Sequence, residues 1–330
     1  MSIHQYTGPA LAVPPSITRV AADWPFTSAS PWNLPIASSA LFADDANIRG
    51  GSSNINSTIW TTRIRQAKDT DPLVTCTGGN MGTFQLRVPA GVTSSNGSDG
   101  DLDIIGPDGH THWDFYKFIR TSDTTATYVV CRQTNLSDVL TGTGWGAGGV
   151  WAGTTAAAAC FMGGVMRAWE LNASGIDRIR HALSMSMAPV QLAQAATQAG
   201  TYQWPAISSD GSWSSYSGTL KIGVLLAIPP SVDVLGLVSN ANARALAWTL
   251  QNFGVYVVNK GGSTGKAGIL YAETESPEAI VNDMRGAWDT IRNQLRIVTN
   301  SAAATPAGKT ATGSYPATLF PAPDPIAVAS

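Results

Sequence analysis

Glu170 and His181 lie in one stretch, MRAWELNASGIDRIRHAL (166–183), of a chain that has only four histidines. A carboxyl group and an imidazole are common proton-transfer groups in catalysis. Glu170 follows Trp169. A carboxyl group against an indole in a partly dry site favours its neutral form, as a general acid requires. NASG (172–175) reads as a turn, so the stretch splits into two extended pieces rather than one helix. If the second piece is extended, His181 shares a face with Ile179 and Leu183 and points inward among apolar neighbours. There it is either an acid–base group or a core histidine satisfied by a backbone carbonyl. A second acid, Asp114, stands between Trp113 and Phe115, on the side of His112 and Tyr116 in an extended strand, with Asp101 and Asp103 on the opposing arm.

Acids, aromatic rings and an imidazole on one sheet face are what glycoside chemistry uses. Hydrolysis needs two carboxyl groups, about 5 Å apart for retention and wider for inversion. A lyase would instead use a base such as His181 or Tyr202. The expected acid pair is Glu170 and Asp114, with His181 assisting. Trp113, Tyr116, Trp169, Tyr202, Trp204 and Asp210 are the expected substrate contacts. The plain alternative is that the acids are solvated turn and strand-edge residues and the tryptophans pack in cores. No cofactor and no metal are expected. Cys76, Cys131 and Cys160 lack C-x-x-C spacing, and Asp210 lacks a calcium-loop pattern. A phosphate loop, a G-x-S-x-G elbow and the E-x-D-x-x-E strand of many jelly-roll glucanases are all missing. The odd cysteine count allows at most one bridge and one free thiol, or three reduced and buried thiols.

The elements that must position these groups are mostly short strands. TFQLRVPAGV (83–92) alternates Phe84, Leu86 and Val88 with polar residues. DLDIIGPDGHTHWDFYKFIR (101–120) reads as a hairpin with arms Leu102 to Ile105 and His112 to Ile119 around GPDG. ATYVVCRQ (126–133) and TLKIGVLLAIPP (219–230) read as further strands. Helices are expected near 240–253, with Ser239 or Asn240 as cap and Gly254 as stop, and over 277–295, with Ser276 as cap. VYVVN (255–259) is a strand between them. The fold class expected is mainly β, a sandwich or concanavalin-like jelly roll with two peripheral helices. Residues 1–30 form an extended arm, 31–298 the β domain and 299–330 an Ala/Thr/Pro-rich tail. Trp32, in SPWNLPI (30–36), anchors the arm on the body.

Composition narrows the setting. Charged residues are 13% of the 330, about half the usual share, while Gly (33), Pro (19) and Trp (11) are abundant. That suits a turn-rich extracellular or particle-bound β protein. With a net charge of −2 and no basic block, no nucleic-acid partner is expected. No apolar run of about 18 residues predicts a membrane span, and the N-terminal stretch does not read as an export signal. A phage virion protein reconciles these features, because it leaves its host by lysis.

Several segments occur together in order: SPWNLPI, HWDFYKF (112–118), GGVMRAWEL (163–171), IRHAL (179–183), YQWPAISSDG (202–211), GTLKIGVLLAIPP (218–230) and LAWTLQNFGVYVVNKGG (246–262). Over roughly residues 28 to 265 this set resembles a group of secreted actinobacterial proteins, also found in phages that infect those hosts. The group's patterns are S-P-W-N-x-P-I, G-x-I-x-H-A-L, P-A-x-x-D-G and L-Q-x-Y-G-x-Y-x-x-D. This chain departs from them at Phe253, at Asn259 in place of the last Asp, and at Gly175, displaced from its position before IRHAL. The resemblance implies a β-sandwich that meets cell-envelope polysaccharide. The leading expectation is a phage tail or tail-tip protein that binds, and in one version cleaves, host envelope glycan. It would assemble with itself or with other tail proteins. The competing expectations are a non-catalytic structural or receptor-binding virion protein and a secreted bacterial glycoside hydrolase or lyase.

Overall fold

The alternation in DLDII (101–105) divides the molecule between two cores. Leu102 and Ile104 join one apolar cluster, whereas Ile105, on the opposite face with Asp101 and Asp103, joins a larger one. The computed structural model describes residues 19–262, 265–316, 318–319 and 324–327. Residues 1–18 of the expected arm and parts of the expected tail lie outside the described residues.

In chain order the strands are β1 (Phe42–Ala43), β2 (Ser52–Asn56), β3 (Thr62–Gln66), β4 (Leu73–Gly78), β5 (Gly82–Arg87), β6 (Asp101–Ile105), β7 (His112–Tyr116), β8 (Ile119–Arg120), β9 (Thr125–Tyr128), β10 (Val130–Arg132), β11 (Leu183–Met187), β12 (Leu225–Ala227), β13 (Val255–Lys260), β14 (Ala267–Tyr271) and β15 (Arg296–Val298). The helices are α1 (Ala168–Asn172), α2 (Val234–Leu237), α3 (Ala241–Asn252) and α4 (Glu278–Arg292). The described residues are thus β-rich, with three sheets among them, none closed on itself. A mixed seven-stranded sheet runs β1-β15-β12-β13-β11-β14-β2. Two four-stranded sheets run β10-β7-β6-β3 and β5-β4-β9-β8.

The small sheets come from residues 62–132 and share one core, built from Val74, Cys76, Leu86, Leu102, Ile104, Phe115, Phe118 and Cys131. The large sheet carries α3 and α4, which pack on each other and against β12 and β2 respectively. Val281, Met284, Trp288 and Ile291 give α4 its buried stripe. Asn240 caps α3 by accepting from the amides of Asn242 and Ala243. Gly254 ends the helix at φ +77°, and a side chain there would press within 2.6 Å of the Leu226 carbonyl. Among the described residues, no helix is long and apolar enough to cross a membrane.

Trp32 is buried, stacked on Trp145 at 4.6 Å and edge-on to Tyr256. Gly163 makes room for it, since a Cβ there would lie 2.4 Å from the Trp32 Nε1. Asn33 donates to the Pro25 carbonyl at 2.8 Å, tying residues 24–33 together. The described C-terminal residues return to the body. Ser314 exchanges hydrogen bonds with Ser38, and Ile326 bonds Arg19.

Five local expectations are corrected. Residues 163–171 are not a strand. They form a short 3-10 turn (Phe161–Gly164) and then α1, because the Glu170 carboxylate reaches back to the Arg167 amide at 2.9 Å and closes the helix start. IRHAL is not one strand either; β11 begins at Leu183. ATYVVCRQ divides at Val129 into β9 and β10, which belong to different sheets. The strand over 219–230 shrinks to β12, with Leu220 and Ile222 making only isolated bridges. Ser276 does not cap α4: among the described residues its buried hydroxyl has no hydrogen-bond partner, and Glu278 holds the first turn through Ser57 and Arg285.

Candidate functional site

α1 and the bend that follows it, with Gly175 at φ +105°, bring Glu170 and His181 together. Both are buried, and His181 Nε2 lies 3.2 Å from Glu170 Oε2 while Nδ1 lies 2.9 Å from the Ala182 carbonyl. Both ring nitrogens face acceptors, so the imidazolium form satisfies the geometry. Burial lowers the His181 pKa, but the Glu170 carboxylate outweighs it and the net shift is upward. One turn away, Arg167 Nε meets Glu273 Oε2 at 3.1 Å, and Glu273 Oε1 lies 3.6 Å from Arg65 on β3. Arg65 and Arg63 both pair with Glu275. This chain of charges runs from α1 to the edge of a small sheet.

Asp114 belongs to a different cluster. Strand register sets it directly across from Asp103. Asp103 bonds His112 Nε2 at 2.7 Å and accepts from the Thr62 hydroxyl at 2.6 Å. Asp114 accepts from the Thr154 hydroxyl (2.6 Å), the Thr154 amide (3.1 Å) and the Phe161 amide (3.0 Å). Burial, then the Asp103 charge, push its pKa up to about 7. Asp101, buried beside Asp114, Asp99 and Asp103, is raised well above the usual carboxylate range, first by burial. His112 loses basicity to burial and regains more from Asp103, for a net rise. Like charges taken out of water cannot all ionise cheaply, so Asp101 and Asp114 bind protons more readily than ordinary carboxylates.

Among the described residues, hydrogen bonds join Glu170 to His181, and none joins either to Asp114. The expected substrate contacts are spread out. Trp113 packs partly against the small core, and Tyr116 lies under Lys117, 5.4 Å from its centroid. Trp169 is 41% exposed and donates to the Asp23 carbonyl. Tyr202 packs against the large core, and Trp204 is half-buried nearby in sequence. Asp210 accepts from Ser212 and lies 3.5 Å from the Lys260 ammonium. Among the described residues, no group of three or more His, Cys, Asp or Glu is placed to hold a metal ion.

Sequence reasoning missed Arg132 and Trp151. Arg132 ends β10 with its guanidinium 5.1 Å from the Trp151 ring centroid, beside a groove of about 310 Å³. The one available signal was an arginine in the otherwise apolar strand VVCR. Nothing in the spacing points to its aromatic partner. Compared with models of known families, with curated proteins and with solved structures, the chain matches none.

Proposed function

We propose that this chain is a tail-associated phage protein that binds host cell-envelope polysaccharide without cleaving it. One contrast carries the reading: Trp169 is 41% exposed, whereas its neighbour Glu170 is 1% exposed. The ring is free to stack on a sugar, while the acid is held inside by Arg167 and His181. Asp114 is equally enclosed, at 1% exposure, and its oxygens accept three bonds from its own chain. A glycosidase acid has to touch the glycosidic oxygen, and these two are engaged elsewhere. Low charge and many tryptophans support a particle-bound glycan-binding role. The sandwich or jelly-roll architecture belongs to the same proposal, supported by the core that the two small sheets share. So does assembly with further copies or other tail proteins.

The test is incubation of the purified protein with host envelope arabinogalactan. Retention of the glycan, weakened by Trp169→Ala, without release of oligosaccharide, is the expected outcome. Release that disappears in Glu170→Gln would replace binding with hydrolysis. Neither retention nor release would remove the glycan from the proposal.

A further inference from the structure

The groove beside Arg132 is lined by Asn80, Met81, Gln133, Val150 and Trp151, with Gly149 at its rim. Its volume of about 310 Å³ is at the small end of ligand sites, enough for one or two ring-sized units. Met81 and Val150 are exposed apolar side chains, 37% and 47% accessible, on its walls. Among the described residues, Arg132 forms no ion pair, and its buried Nε has no hydrogen-bond partner. That Nε has lost its hydration without gaining a hydrogen bond, and the head group has stacking on Trp151 as its contact.

Both halves of the pair are held in place before any ligand arrives. Arg132 is fixed by the antiparallel pairing of β10 with β7. Trp151 is fixed from both sides. Ala147 and Val150 exchange backbone hydrogen bonds before it, and Thr154 is clamped to Asp114 after it. Such preorganisation removes the ordering cost that weak ligands cannot meet.

We infer that this groove is a binding site for an acidic sugar, with the Arg132 guanidinium taking the carboxylate and the Met81–Val150–Trp151 wall taking the ring. The planar fork of arginine matches a carboxylate with two parallel hydrogen bonds, which a lysine cannot do. The apolar wall suits the CH face of a pyranose, and the Gln133 amide lies in the lining to meet hydroxyl groups. The inference rests on the glycan-binding reading and adds to it a subsite for an acidic sugar, which neutral arabinogalactan does not carry.

Ligand-observed NMR on the whole protein tests it, with glucuronate, glucose, benzoate and inorganic phosphate as probes. Glucuronate should bind in the millimolar range and glucose about tenfold more weakly, the size of one charge-assisted hydrogen bond. Arg132→Met should bring glucuronate down to the glucose level, and Trp151→Ala should weaken both sugars. Arg132→Lys should recover only part of the preference. Thermal unfolding of each variant separates a lost site from a lost fold. Equal binding of glucuronate and glucose, or unchanged glucuronate binding in a folded Arg132→Met, would overturn the site. Benzoate or phosphate binding more tightly than glucuronate would overturn the sugar. Retention of arabinogalactan that survives Arg132→Met, with no glucuronate binding, would sink this site and leave the polysaccharide reading standing. Glucuronate binding without retention would do the reverse.

Discussion

Asp114 and Arg132 lie directly across from each other on neighbouring strands, β7 and β10, and do not pair. Residues opposite one another in an antiparallel ladder share a face, so an ion pair was within geometric reach. Asp114 instead gives its carboxyl group to Thr154 and Phe161, and Arg132 stacks on Trp151. The acid builds the loop, and the loop brings the indole to the base. The acid therefore positions Trp151 and leaves the cation uncompensated.

Replacing Asp114 with Asn should loosen the 151–161 loop. The amide keeps one acceptor and presents two donors where Thr154 and Phe161 also donate. Loss of a buried, charge-assisted contact of this kind costs about 1–3 kcal/mol. Denaturant unfolding should show that decrease, and hydrogen exchange should show faster opening at Thr154 and Phe161. Unchanged protection at those two amides would contradict the role.

Stability should rise as pH falls from about 8 to about 5. Asp114, raised to about 7, contributes stability that is complete below its unfolded value of 3.8 and is lost as pH rises through the folded value. Asp101, raised beside it, has the same sign. His181 and His112 are raised too, so their contributions are present below 6.5 and are lost above it. The lowered carboxylates, Asp108, Asp138 and Asp210 among them, act in the opposite sense, but only as pH falls below the usual carboxylate range. Thermal midpoints measured across this range should therefore climb toward acid, and Asp114→Asn should flatten the slope. A midpoint that climbs toward alkali would refute the assignment.

Glu170→Ala should destabilise the fold by about 3 kcal/mol, because it leaves a buried imidazolium without its counter-charge and the Arg167 amide without its acceptor. His181 should then titrate lower, as burial acts unopposed. Proton NMR of the imidazole would read that shift directly. A His181 pKa indifferent to the substitution would mean that the 3.2 Å contact carries no charge.

The three thiols are free and buried. Burial pushes Cys76 up to about 12 and raises Cys131 and Cys160 well above the ordinary thiol range. Reaction needs the thiolate, so the native protein should resist alkylation, and the unfolded chain should take up one label on each cysteine. Reductant should leave the thermal midpoint unchanged. Rapid labelling of any one of the three in the native state would show that the core around it opens.

Periodicity and punctuation made the framework legible. The hairpin pairing 101–105 with 112–116, the helices after Asn240 and Pro277, the strand at 255–259 and the break in the chain just after Asn172 all follow from local residue preferences, which act over a few positions and are written in the sequence. The short helix at Glu170 escaped, because its start is closed by a side chain reaching back three residues, a signal that a strand-like alternation masks. The division of 126–133 between two sheets also escaped, since a strand's partners are chosen by long-range packing. The same limit governed the candidate site. The acids and the imidazole were recognisable by type, and Glu170 and His181 do meet. Register and folding-back of the 147–161 loop decided that Asp114 would join Asp103 and His112 instead, and that Arg132 would face Trp151. Side-chain type is a property of single positions; burial, and with it proton affinity and access to a ligand, belongs to the packed whole.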